Sequence, residues 1–146
     1  MSTHNEVGGN RTSSFGWELI SRRVASRLSQ STLAEAAGVS LPWLVKLEQD
    51  RGRPSDEVCR RLAHGFLPNG SPLERAMLDL RLRRAAGQSL VTLSGQRRPP
   101  ERVLRLYARA AQLLDERDAR SRAAVRQRMA RGELAVHHDV ASRQAG

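Results

Sequence analysis

The chain has 146 residues and a formal net charge of +10, from 25 basic side chains against 15 acidic ones, and every basic side chain except Lys46 is an arginine. That balance points to a polyanionic partner, nucleic acid ahead of an anionic membrane. One cysteine, Cys59, excludes an intrachain disulfide, and no apolar run nears the ~18 residues of a membrane span.

Residues 1–14 are polar and glycine-rich and read as a disordered arm. A basic arm can enter a minor groove, but this one carries Arg11 alone, which favours a frayed tail. The arm also lacks the basic-then-apolar order of a secretory leader. Residues 15–28 read as a first helix, with Trp17, Leu19, Ile20, Val24 and Leu28 as apolar positions and Arg22, Arg23 and Arg27 between them.

Two short helices come next. Ser29 stands at an N-cap position, where a hydroxyl accepts a bond from an orphan backbone N–H. Leu33, Ala34 and Ala37 make an apolar stripe, and Gly38 stops the helix. Val39 plugs the corner, and Ser40 caps a second helix with Pro42 in its first turn. Leu44 and Leu47 face inward until Asp50-Arg51-Gly52-Arg53-Pro54 ends the run. Two helices around a short glycine-containing turn are the helix-turn-helix unit of DNA-binding proteins.

Ser55, followed by Asp56 and Glu57, opens a fourth helix with Val58, Cys59, Leu62, Ala63 and Phe66 on its buried face. Cys59 is expected as a small core residue rather than a reactive thiol. After a turn at 67–70, Ser71-Pro72-Leu73-Glu74 is a capping box. It begins a fifth helix through Leu73, Met77, Leu78, Leu80 and Leu82, ended by Gly87.

Residues 88–100 break the pattern and read as a linker, with Leu90-Val91-Thr92-Leu93 pairing as an edge strand with a second copy as the alternative. Residues 101–131 read as one long helix, stopped at Gly132. Val103, Leu106, Ala110 and Leu113, flanked by Leu104, Tyr107 and Leu114, form a stripe that needs a partner surface. The polar run from Asp115 to Arg122 interrupts it too soon for a long coiled coil. The expectation is a helical extension over 101–146 that dimerises as a short helix pair or packs on the fifth helix. The tail beyond Glu133 reads as loose, and His137-His138 lack the further ligands that a metal needs.

The segment from Leu28 to Glu48 resembles the lambda-repressor/Cro-like (XRE) family. Leu28, Ser29, Gln30, Leu33, Ala34, Ala37, Gly38, Val39, Ser40, Leu44, Leu47 and Glu48 match that family's pattern in register without a gap. The likeness extends over about residues 17–66. It implies a five-helix DNA-binding domain over 15–87, which together with the helical C-terminal extension read from the pattern makes an all-α fold. It also implies that Arg23 pairs with Glu48, and that Gln30 binds a DNA phosphate.

In a helix-turn-helix the second helix enters the major groove and its early residues face base edges. Those are Leu41, Pro42, Val45 and Lys46, with Trp43 beside them expected in the core. Ser40, Arg51 and Arg53 are placed to join Gln30 on phosphates. Leu41 and Pro42 depart from the family's usual polar readers. They can meet thymine methyls, which leaves Lys46 to hydrogen-bond guanine.

The reading is a sequence-specific transcriptional regulator, a repressor, binding double-stranded DNA at a palindromic operator as a homodimer. Its setting would be the cytoplasm of a bacterium or of a phage host, on the nucleoid, with no membrane partner. The alternative is a protein-binding adaptor on the same scaffold, antitoxin-like or anti-activator, using Leu41, Pro42 and Trp43 as an apolar patch for a protein partner. An enzyme is the weakest class. The chain offers no nucleophile with a base, no phosphate-binding glycine loop and no paired carboxylates, so no catalytic residue, cofactor or metal is expected.

Overall fold

Each of the first five helices opens at a serine whose hydroxyl accepts a backbone N–H three residues on. Ser14, Ser29, Ser40, Ser55 and Ser71 cap α1 (Phe15–Ala25), α2 (Gln30–Ala37), α3 (Leu41–Glu48), α4 (Asp56–Phe66) and α5 (Pro72–Ala85). At Ser71 the Glu74 side chain returns the bond to the serine N–H and completes the capping box. The computed structural model describes residues 14–87 and 99–133. Among these every regular element is α-helical, six in all, ending with α6 (Glu101–Ala130). The N-terminal arm, the segment with Leu90–Leu93 and the tail with His137-His138 lie outside the described residues.

The helices pack because their apolar stripes converge. Leu19 of α1, Leu33 of α2, Leu44 and Leu47 of α3 and Cys59 and Leu62 of α4 are all fully buried in one core with Phe15, Phe66, Leu78 and Leu82. α2 lies on α4, α4 on α5, and α1 on both α3 and α5. Gly38 ends α2 in the left-handed region at φ 66°, where a Cβ would clash with the backbone, and so allows the tight corner into α3.

Two details of α1 differ from the sequence expectation. The helix stops at Ala25 rather than Leu28, because Arg27 turns left-handed at φ 57° and closes the end with Arg27 N–H on Val24 O and Leu28 N–H on Arg23 O. Trp17 and Val24, which fit the apolar pattern, are 62% and 61% exposed. They lie seven residues apart on the outward side of the helix, while Phe15 and Leu19 take the inward one.

α5 has no single apolar face. Besides Ala76, Leu78, Leu80 and Leu82 it buries Asp79 and Arg83, at 1% and 6% exposure. Arg83 Nε donates to Asp79 Oδ1 at 2.8 Å, its Nη1 lies 3.7 Å from Asp56 Oδ2, and Tyr107 of α6 donates its hydroxyl to Asp79 Oδ2. The Arg83 guanidinium also sits 5.8 Å from the centre of the Tyr107 ring. Burial, then the bond to Asp79 and its negative charge, push the Tyr107 phenol above its ordinary pKa. Burial and the charge of Asp79 likewise push the Cys59 thiol up to about 12, consistent with a core residue.

α6 starts after Pro99-Pro100, with Pro100 O accepting the Val103 and Leu104 N–H groups, and ends before Gly132 at φ 72°. One compact unit runs as far as Ala110 and includes the first ten residues of α6, where Ala110 is fully buried. A second unit begins at Ala111. Its described part is the rest of α6 to Ala130 and the turn up to Glu133, and the helix exposes Val125 and Met129 among arginines there. Arg120 pairs there with Glu116, and Arg128 and Arg131 with Glu133.

Candidate nucleic-acid interface

α3 buries one side and leaves the other bare. Leu44, Leu47 and Glu48 are inside, whereas Leu41 is 40% exposed and Pro42 and Lys46 are exposed, with Val45 half-buried between them. Spacing explains the split, since positions three and four apart share a helix face. Ser40 holds the start of the helix, its Oγ accepting Trp43 N–H at 3.3 Å. Trp43 packs against the core with its ring on Gly52, where an added Cβ would come within 2.6 Å of the indole. Only a residue without a side chain lets the chain turn there beneath the ring, and this turn carries Arg51 and Arg53 out of α3, both exposed.

Beneath this surface lies a charged lock. Arg23 Nε donates to Glu48 Oε1 at 2.6 Å and its Nη2 to Glu48 Oε2 at 3.4 Å, while its Nη1 reaches Leu28 O at 3.0 Å. Gln30 Nε2 donates to Glu48 Oε2 at 2.7 Å. The carboxylate at the end of α3 is thereby tied to α1 and to the first residue of α2. Asp50 adds a second tie, its Oδ1 accepting Gly16 N–H at 2.8 Å. These bonds tie the end of α3 to both α1 and α2.

The placement of Gln30 therefore differs in emphasis from the sequence reading, which gave its side chain to a phosphate. Its amide is engaged with Glu48, and one amide hydrogen is left over. Sequence reasoning had no route to that bond, because an amide at a helix start gives no sign of which carboxylate the turn brings to it. The Asp79–Arg83–Tyr107 cluster was missed too. The i,i+4 spacing of Asp79 and Arg83 was a usable signal, but an apolar count alone passes over it.

Lys46, Arg51 and Arg53 have no carboxylate partner among the described residues. Three other arginines of the same unit do have carboxylate partners: Arg60 and Arg61 share Glu57, and Arg83 has Asp79. A protein-family model described as a helix-turn-helix domain matches residues 14–67. No curated protein and no solved structure matches the chain. The helix-turn-helix match spans α1 to α4 and ends one residue past Phe66, so α5 and α6 lie outside it. Among the described residues, no helix is long and apolar enough to cross a membrane.

Proposed function

We propose that the chain is a sequence-specific DNA-binding regulator that places α3 in a major groove. The observation that carries this reading is the bare leading face of α3, with Leu41, Pro42 and Lys46 exposed, beside Arg51 and Arg53, which have no acidic partner among the described residues. Unpaired exposed cations at a helix-turn-helix suit phosphates, and Lys46 suits the acceptors of a guanine edge. Leu41 and Pro42 meet thymine methyls, and Val45 follows them along the groove. Ser40 and the remaining amide hydrogen of Gln30 join the arginines at the backbone. Two copies on a palindromic operator, paired through the exposed Val125 and Met129 of α6, give a homodimeric repressor.

Selection of bound duplexes from a random pool tests the reading. The expected result is a two-fold-symmetric consensus, bound with an affinity that falls steeply with salt, at a log–log slope of about −0.9 per phosphate neutralised. A flat salt response without any consensus would remove it. One observation favours a second reading, the protein-binding adaptor: Trp17 is 62% exposed, an unusual placement for a large aromatic ring. The same titration separates the two, since an adaptor retains no salt-steep affinity for duplex.

A further inference from the structure

Four helix ends or turns among the described residues pass through the left-handed region with a clear reason for doing so. Gly38, Gly87 and Gly132, at φ 66°, 71° and 72°, follow α2, α5 and α6, where the absence of a Cβ removes the clash. Asp50, at φ 56° after α3, does carry a side chain, and that side chain accepts the Gly16 N–H and fastens α3 to α1. Arg27, at φ 57° after α1, is the exception. It is exposed, and its guanidinium has no hydrogen-bond or ion-pair partner among the described residues. The fold alone is better served by glycine at that position.

The corner holding Arg27 is also firmly placed. Its own N–H is bonded to Val24 O and the next N–H to Arg23 O. The carbonyl of Leu28 is held by Arg23, which grips Glu48 at the end of α3. Two residues beyond Arg27 stands Ser29, the cap of α2, and then Gln30, on the same Glu48. Arg27 is thus an unpaired cation on a strained but rigid corner, tied through two bonded side chains to the helix with the bare face. The turn closes α1, but a side chain kept there at a cost in strain has no structural return and points to a role of its own, and the ligand chemistry of a free guanidinium is a phosphate group.

We propose that Arg27 grips a phosphate of the bound duplex, independently of base sequence, and that arginine rather than glycine is kept at this left-handed position for that purpose. This rests on the reading of α2 and α3 as a duplex-binding pair. The test uses the full chain and a random-sequence 20-base-pair duplex, a length on the order of two helical turns. Arg27→Gly should melt a few degrees higher than wild type, since the strain is relieved. It should nevertheless bind the duplex about eightfold more weakly at 0.1 M salt, with the log–log salt slope shallower by about 0.9, the change expected when one phosphate is no longer neutralised. Arg27→Asn, which tolerates the left-handed region without charge, should show the same shallower slope, and Arg27→Lys should keep the wild-type one.

If wild type binds with a steep salt slope while Arg27→Gly or Arg27→Asn matches it at every salt, the proposed role of Arg27 is overturned and the duplex reading survives. If wild type itself shows no salt-dependent binding, the duplex reading fails before any variant is compared. An Arg27→Gly protein melting lower than wild type would overturn the claim that arginine is held there at a cost to the fold.

Discussion

α3 and α5 treat charge in opposite ways. α5 draws Asp79 and Arg83 inside, sets them 2.8 Å apart and closes the pair with the Tyr107 hydroxyl. α3 leaves Lys46 in solvent with no acidic partner among the described residues and hides its one acid, Glu48, against Arg23 and Gln30. A buried charge must have its partners within the chain, because the alternative is an unsolvated ion. An exposed cation without a partner costs the fold little and stays available to a polyanion. The division between the two helices is therefore one between charge that holds the unit together and charge that faces outward.

The largest effect should come from breaking the inner set. Asp79→Ala strands the buried Arg83 and removes the acceptor of Tyr107, and should lower unfolding free energy by about 3–5 kcal/mol in urea titrations. Duplex affinity of the folded fraction should be unchanged. A loss below about 0.5 kcal/mol would put Asp79 with the surface charges rather than the core. Lys46→Ala should do the reverse, leaving stability within about 0.5 kcal/mol. It should relax preference at one base pair by about 1–3 kcal/mol, read by competition between consensus and single-substituted duplexes. A uniform loss over all sequences would make Lys46 a phosphate contact.

The smallest change is Tyr107→Phe, which deletes one hydroxyl and should cost about 1 kcal/mol, with more if Asp79 finds no replacement donor. Its pH dependence sharpens the point. The folded protein holds the phenol above its ordinary pKa, so the folded state binds the proton more tightly than the unfolded chain. The stability linked to it is fully present below the unfolded value of about 10 and is lost as pH rises through the folded value. Tyr107 is the chain's one tyrosine, so phenolate absorbance reports this group alone. Equal alkaline destabilisation of wild type and Tyr107→Phe would separate Tyr107 from the buried cluster.

Much of the helical layout is legible in the sequence. Ser29, Ser40, Ser55 and Ser71 mark their helix starts, and Gly38, Gly87 and Gly132 mark ends, because caps and left-handed stops depend on residues within one turn. The stripes of α2, α3 and α4 were legible for a similar reason: Leu33, Leu44, Leu47, Cys59 and Leu62 recur at helical spacing and are buried. Where pattern alone was read, it failed at Trp17 and Val24, since periodicity names a face without saying whether another helix covers it.

Local chemistry, acting over three or four residues, thus determined where the helices begin and end and which residues of α3 point away from Leu44 and Leu47. Only the tertiary structure decided which charges meet. Gln30 and Glu48 are 18 residues apart, Arg23 and Glu48 25, and Asp79 and Tyr107 28, and nothing in a helical period encodes those distances. The left-handed turn at Arg27 belongs with them. An arginine carries no local preference for that conformation, and the bonds from Arg23 to Leu28 and Glu48 hold the corner in place.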